Sequence, residues 1–366
     1  MGPQFIAVNP FTHLTVDGVA LEGAAILHWA EHLVEEHAGA PWTLELREAL
    51  HELVTGDGTI VAHTSGTTGP PHPIRFTAND LRASARLTGQ TFRLHRGDRA
   101  LMCLGASFIA GRMMLVRGFV VGLDLHVVGP SGGVLDHLRT QDRFRFAAMV
   151  PAQLHRALQD DRSRLERQFG AILLGGGPVS RALEEDVQGL SVEVVQGYGS
   201  TETLTHVALR PLNGPARSDR YTAIGDIRFE LDARDCLVVR TPHLSTVRHV
   251  TNDLVELLDE RTFRWLGRAD NVILTGGRKV HPEEMELRTT GLLPFAHYFI
   301  GEPDDRLGQA VVLVVESSMP LDEVEREVRR CLTGVLAPHE MPRRIRVHGS
   351  FERTSSGKVK RTAQEG

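Results

Sequence analysis

Residues 63–77 read His63-Thr64-Ser65-Gly66-Thr67-Thr68-Gly69-Pro70-Pro71-His72-Pro73-Ile74-Arg75-Phe76-Thr77. The run before them, Thr59-Ile60-Val61-Ala62, is apolar and predicts a strand. Four hydroxyls, on Thr64, Ser65, Thr67 and Thr68, lie among two glycines. Glycine lets the backbone turn tightly and present its N–H groups, and hydroxyls add donors that rotate toward an oxyanion. Such a loop can wrap phosphate oxygens without a fixed positive charge. It is not a Walker A loop, which needs four residues between its glycines and then Lys-Ser or Lys-Thr. Here two residues separate Gly66 from Gly69, and Pro70-Pro71-His72 follows. Taken alone, a cluster of glycine, threonine and serine is as readily an ordinary turn.

Outward from this loop the chain alternates. Residues 77–80, Thr-Ala-Asn-Asp, predict a helix start with Thr77 as cap and Asp80 in the first turn, running to about residue 90. Strands are predicted over 99–104, 125–128, 146–150, 171–174 and 192–195. The intervening 111–120, 133–140, 153–168 and 180–188 suit helices. Such alternation predicts a mostly parallel sheet covered by helices. Three of the strands run into Gly105-Ala106-Ser107, Gly175-Gly176-Gly177 and Gly197-Tyr198-Gly199. Open α/β sheets bind ligands just beyond the carboxyl ends of their strands. Ahead of the loop, residues 26–37 and 43–53 predict two helices.

Past Asn213 the texture changes. Residues 236–240, 254–258 and 263–266 read as strands, and 267–270 as a short polar hinge. The remaining ~100 residues match a small domain. In it 299–300 and 310–315 predict strands, and Leu321, Val324, Val328, Leu332 and Val335 form a core-facing helical stripe.

Composition narrows the class. A net charge of −5 over 366 residues gives no reason to expect nucleic-acid binding. Three scattered cysteines, Cys103, Cys236 and Cys331, argue against a disulfide framework or a zinc site. No basic segment followed by an apolar core opens the chain, and no apolar run approaches the ~20 residues that span a bilayer. The expectation is a cytoplasmic protein.

Three further stretches occur with the first loop. In residues 196–203, Gln-Gly-Tyr-Gly-Ser-Thr-Glu-Thr, an aromatic between glycines can lie against a base, Thr201 can bond a phosphate, and Glu202 can hold a hard cation. The second is 266–286, Leu-Gly-Arg-Ala-Asp-Asn-Val-Ile-Leu-Thr-Gly-Gly-Arg-Lys-Val-His-Pro-Glu-Glu-Met-Glu. The third, 353–361, places Lys358 on a Gly/Ser loop, where a mobile point charge can reach a phosphate. Together and in this order the four resemble the adenylate-forming superfamily of acyl- and aryl-CoA synthetases, luciferases and peptide-synthetase adenylation domains. The resemblance covers about residues 59–361. Finer matches at 103–117, 148–153, 205–210 and 251–256 resemble the compact o-succinylbenzoate–CoA ligases of menaquinone synthesis.

The resemblance implies a large α/β N-terminal domain over 1–267, with mostly parallel sheets and helices. It also implies a hinge at 268–270 and a small mobile α+β domain over 271–366. It implies an ATP- and Mg2+-dependent acid–CoA ligase that forms an acyl-adenylate and then a thioester with coenzyme A. Thr64, Ser65, Gly66, Thr67, Thr68 and Gly69 would hold the β- and γ-phosphates of ATP. Gly175, Gly176, Gly177 and Tyr198 would sandwich adenine, with Gly199 in the same cofactor-binding stretch. Thr201 would contact the α-phosphate, Glu202 would bind Mg2+, and Asp253 and Arg268 would hold the ribose. Asp270 would be the hinge, Lys358 would bridge the carboxylate and the α-phosphate, and Gly277 would line the pantetheine path. Phe108 stands where the family often has an aromatic or histidine gate to the acyl pocket.

A second carboxylate on the acid needs a cation or several donors. Arg112, then His206, then Arg117 are the candidates, in that order. The chain departs from the family it resembles at Pro71-His72, where lysine is common, and at Asn271, where a second acidic residue is common. Rival readings are an adenylating ligase for another aryl or acyl acid, with coenzyme A or a carrier-protein thiol as acceptor, and a non-catalytic nucleotide-binding module.

Overall fold

The computed structural model describes residues 9–63, 72–353 and 359–361. The chain falls into two compact units. The larger takes the residues up to Pro178, Val187–Arg228 and Arg240–His249; the smaller takes Val179–Asp186, Phe229–Val239 and the chain from Val250 on.

In the larger unit, helix Ala78–Thr91 begins as its residues dictate. Asp80 N donates to Thr77 Oγ1 at 3.2 Å, and Thr77 N donates back to Asp80 Oδ2 at 2.9 Å, so two otherwise orphaned donors are satisfied reciprocally. The other Asp80 oxygen accepts from Ser245 N at 2.6 Å and ties the 240–249 segment to this helix start.

The sheet of this unit runs Tyr221–Ala223, His206–Pro211, Glu193–Gly199, Phe169–Leu174, Phe144–Met149, Arg99–Met102, Asp124–Val127, His13–Val16 and Val19–Glu22. From Glu193–Gly199 through His13–Val16 neighbouring strands are parallel, and the two ends are antiparallel. The buried strands read almost without polar residues, Phe-Arg-Phe-Ala-Ala-Met and Phe-Gly-Ala-Ile-Leu-Leu, as a sheet covered on both faces requires. Arg99–Met102 lies between Asp124–Val127, which follows it in the chain, and Phe144–Met149, which comes next. The chain therefore leaves it toward one side and then crosses back past it to the other, which puts the switch point of the sheet at its carboxyl end, beside Phe144–Met149.

One expected helix is absent, and two strands join those expected. Residues 133–140 form only the single 3-10 turn Val134–His137, because Gly132-Gly133 precede it and Leu138 is already extended. Pro73–Phe76 is a strand paired antiparallel with Ile60–His63. The hairpin of His13–Val16 and Val19–Glu22 adds an edge to the sheet.

The smaller unit contains most of Arg228–Leu231, Cys236–Arg240, Arg248–Asp259 and Thr262–Arg268, adjacent in that order. Its second sheet runs Arg278–Val280, Ile273–Thr275, Gly308–Glu316 and Ala296–Asp304, with Arg344–His348 parallel to Gly308–Glu316. Helix Leu321–Leu332 buries Val324, Val328 and Leu332 of the expected stripe against this sheet's core of Phe299, Val311, Leu313 and Val315, while Val335 lies past the helix end. Leu321, at the helix start, stays exposed. Among the described residues no helix is long and apolar enough to cross a membrane.

Candidate active site

Because the central strands of the larger unit are parallel, their carboxyl ends share one edge. Two of the expected loops leave from that edge, 103–108 after Arg99–Met102 and 175–177 after Phe169–Leu174; the third, Gly197-Tyr198-Gly199, is itself the end of strand Glu193–Gly199, and the turn follows it at 200–205. Gly175 N donates to Met149 O at 3.0 Å, which extends the ladder into the glycine run. Gly176 has φ +78°, a conformation that disfavours a side chain, while a Cβ on Gly175 or Gly177 would meet nothing within 4 Å. The edge at 175–177 is thus open to a flat ligand. The Tyr198 ring stands edge-on to Tyr221, centroids 5.7 Å apart.

The 200–205 loop turns the chain back into the antiparallel strand His206–Pro211. A Cβ on Gly199 would lie 2.3 Å from Thr205 O, so only glycine allows the two arms to meet this closely. Thr203 Oγ1 accepts from Ser200 N at 3.0 Å and donates to Thr205 O at 2.9 Å, bracing the turn from inside. Leu204 takes φ +66°. Thr201 is half-buried and Glu202 exposed at the tip. Among the described residues no group of three or more His, Cys, Asp or Glu could hold a metal ion. A lone Glu202 suits Mg2+, which takes one or two protein carboxylates and completes its shell with phosphate oxygens and water.

Helix Ile109–Val121 starts at the same edge, with Phe108 as its cap residue, 44% exposed. The three candidate cations differ sharply in their surroundings. Arg112 is already paired: Nη1 donates to Glu52 Oε2 at 2.6 Å and Nε to Ala106 O at 3.1 Å. Arg117 is 2% exposed, and burial alone lowers its pKa to about 10. Its Nη2 donates to Thr205 Oγ1 at 2.9 Å and Nη1 meets Met114 Sδ at 3.4 Å, while Nε has no acceptor. His206 is buried, and its pKa falls to about 3, first through burial and then through the Arg117 charge.

The hydroxyl of Thr205 joins these two groups. Arg117 can only donate to it, so its own hydrogen is free for His206 Nδ1, 3.1 Å away. In that tautomer neutral His206 carries its proton on Nε2, which is buried and has no partner. Two donors, Arg117 Nε and His206 Nε2, are therefore left without acceptors on neighbouring side chains.

The smaller unit holds the remaining described candidates. Asp253 and Arg268 face each other across paired strands, with Arg268 Nη1 3.7 Å from Asp253 Oδ1. Arg268 Nη2 also donates to Asp270 Oδ2 at 2.9 Å, and Asn252 Nδ2 reaches the same oxygen at 3.2 Å. Gly276 and Gly277, at φ +56° and +75°, form the two-residue turn between Ile273–Thr275 and Arg278–Val280. Nothing lies within 4 Å of where a Gly277 side chain would project. Thr64 to Gly69 and Lys358 lie outside the described residues.

A family model for AMP-binding enzymes matches residues 14–234. The chain belongs to the AMP-binding enzyme family, that of the adenylate-forming acid–CoA ligases. This AMP-binding enzyme is 32% identical over 340 residues to the probable 2-succinylbenzoate–CoA ligase of Mycobacterium tuberculosis H37Rv, covering 85% of each chain. Among solved structures it resembles an acyl-CoA synthetase (AMP-forming)/AMP-acid ligase II-like protein from Dyadobacter fermentans DSM 18053. There the identity is 37% and the TM-score 0.58, over 88% of this chain and 93% of that one. It shares its fold with the o-succinylbenzoate–CoA synthetase of Bacillus subtilis, solved with ATP and magnesium ion, at 21% identity and a TM-score of 0.69, over 82% of this chain and 68% of that one.

Two features of this AMP-binding enzyme escaped the sequence reading. Thr205 was quoted only as part of a match, and nothing local marks it as the hydroxyl between Arg117 and His206. Arg361 entered only as the end of the 353–361 stretch, whereas its guanidinium is held by Glu283 and Glu286.

Proposed function

We propose that this enzyme is an o-succinylbenzoate–CoA ligase. The acid's carboxylate oxygen attacks the α-phosphorus of ATP, pyrophosphate leaves, and an acyl-adenylate remains. The sulfur of coenzyme A then attacks the acyl carbon and AMP leaves. In the first step a poor nucleophile must approach an anionic phosphate, so positive charge near the α-phosphate lowers the barrier. Lys358 would supply that charge, and Thr201 would orient the α-phosphate. Glu202 would hold Mg2+, which when bound neutralises phosphate charge. Gly175 to Gly177 and Tyr198 would take adenine, Asp253 and Arg268 the ribose, Thr64 to Gly69 the outer phosphates, and Gly277 the pantetheine arm. Phe108 would sit at the mouth of the acyl pocket.

The observation that supports this acid is the pair of unpartnered donors on Arg117 and His206. o-Succinylbenzoate keeps one carboxylate idle on its ring. A buried carboxylate needs a cation and hydrogen bonds, and these two side chains lack the acceptors that such a group would bring. Arg112, held by Glu52, has less to offer it. We therefore give the role first to Arg117, with His206 beside it.

The test is ATP–pyrophosphate exchange with a panel of acids, followed by AMP release with free coenzyme A against a carrier protein. The reading expects exchange with o-succinylbenzoate to exceed that with 4-phenyl-4-oxobutanoate, which lacks the ring carboxylate, and free coenzyme A to be the better acceptor. Equal use of the two acids would remove the substrate assignment. Preference for the carrier protein would change the acceptor.

A further inference from the structure

Residues 359–361, directly after the segment that carries Lys358, belong to the smaller unit and are held there by several contacts. Val359 bridges Arg353 in antiparallel fashion, and Lys360 N donates to Glu352 O at 2.9 Å. Arg353 Nη2 donates to Glu316 Oε2 at 2.6 Å. Arg361 goes deepest. Its Nη2 donates to Glu286 Oε2, its Nη1 lies 3.4 Å from Glu283 Oε1, and its guanidinium carbon is 6.0 Å from the Tyr298 ring centre.

The two glutamates lie three residues apart on helix Pro282–Thr289 and are largely dry. Side by side they would repel, and burial already raises the Glu286 carboxyl to about 7. One planar guanidinium set between them offsets both charges, which a lysine ammonium cannot do with the same geometry. Each glutamate has a second duty. Glu286 Oε1 accepts from Phe299 N at 2.9 Å, fixing the helix on the sheet. Glu283 Oε1 accepts from Asn271 Nδ2, and a Cβ on Gly267 would stand 2.7 Å from Glu283 Oε2. Glu283 thus touches the chain on both sides of Asp270. An aspartate in place of Asn271 would set a third carboxylate against it, which accounts for the amide at this position.

We propose that Arg361 is a positioning residue for Lys358, an inference that rests on that lysine acting in adenylation. Arg361 ties the chain three residues beyond the lysine to helix Pro282–Thr289, and so anchors the C-terminal side of the segment that carries the lysine.

The experiment measures adenylation by pyrophosphate exchange and thioester formation from supplied acyl-adenylate, for wild type, Arg361→Gln, Arg361→Lys and Lys358→Ala, and for Arg361→Gln combined with Lys358→Ala. Arg361→Gln should lower kcat for adenylation at least ~10-fold, with KM for ATP and acid within ~3-fold and the thioester step near wild type. Arg361→Lys should fall between. In the Lys358→Ala background the Gln change should cost nothing further, because its effect runs through the lysine. Equal losses in both half-reactions, or a further loss without the lysine, would overturn the proposal. Normal adenylation by Arg361→Gln beside a dead Lys358→Ala would overturn the positioning role alone. Normal adenylation by Lys358→Ala would remove the lysine's role and this proposal with it. Should Arg361→Gln fail to fold by thermal melting, Glu283→Gln removes one side of the clamp and carries the same comparison.

Discussion

Arg117 Nη2 donates to Thr205 Oγ1 across 2.9 Å, from a residue only 2% exposed. A buried cation without a counter-charge lowers stability, so its persistence calls for use. Arg117→Met, similar in volume, is expected to hold or raise Tm. It should also raise KM for o-succinylbenzoate at least ~10-fold, the ~1.4 kcal/mol or more of a lost charge-assisted bond. KM for ATP should change little. A lower Tm with an unchanged KM for the acid would make Arg117 a structural residue.

Arg112→Ala should behave in the opposite way. It removes the partner of Glu52, a partly exposed pair with a 2.6 Å bond. The expected cost is about 1 kcal/mol of stability after solvent screening, read as a shift in denaturant midpoint. Discrimination between o-succinylbenzoate and 4-phenyl-4-oxobutanoate should stay within ~3-fold. Loss of that discrimination here, and not in Arg117→Met, would return the second carboxylate to Arg112.

The buried histidine gives a pH dependence of known sign. The folded pKa of His206 is about 3 against a usual 6.5, so folding favours its neutral form. Its contribution is fully present above pH 6.5 and is lost as pH falls from there toward 3, at about 1.4 kcal/mol per unit. Glu286 works the other way: its folded pKa of about 7 stands above the ordinary 4.5, so its contribution is present below 4.5 and is lost as pH rises through 7. The difference between wild type and His206→Gln isolates the first group. That variant should keep more of its stability than wild type between pH 6.5 and 4.5 in urea melts. Parallel curves would show that His206 is not buried neutral.

Gly111 sits where the first turn of its helix crosses the preceding loop. A Cβ there would lie 2.1 Å from Gly105 O and 2.9 Å from Leu104 O, both backbone atoms. Gly111→Ala therefore has to move the backbone beside Phe108, at a cost of about 3 kcal/mol. An unchanged Tm would mean that the loop shifts freely.

Asp270 lies in the short turn Ala269–Asn271, with its carboxylate on Arg268 and Asn252. Proline there fixes φ near −65° and restricts Ala269. If the two half-reactions need two backbone states at this point, Asp270→Pro should leave one much more active than the other. Near-normal rates in both would make Asp270 an ordinary turn residue.

The amino-acid sequence by itself determined the elements that depend on near neighbours. Thr77 and Asp80 stand three residues apart and cap a helix in almost any context. The spacing of Val324, Val328 and Leu332 dictates a helix with one dry face, and the alternation from residue 99 to 199 dictates parallel strands ending on one edge. What only the tertiary structure decided is which buried charges find partners. Arg112 and Arg117 lie five residues apart on one helix, with similar apolar neighbours. The first meets the carboxylate of Glu52, 60 residues away, and the second meets a neutral hydroxyl, 88 residues away, and no carboxylate among the described residues. Arg361 meets Glu286 across 75 residues. Local periodicity follows from backbone geometry, which nearby residues set. The partner of a charge depends on which distant segment the packed core brings within 3 Å of it, and no short stretch of sequence encodes that distance.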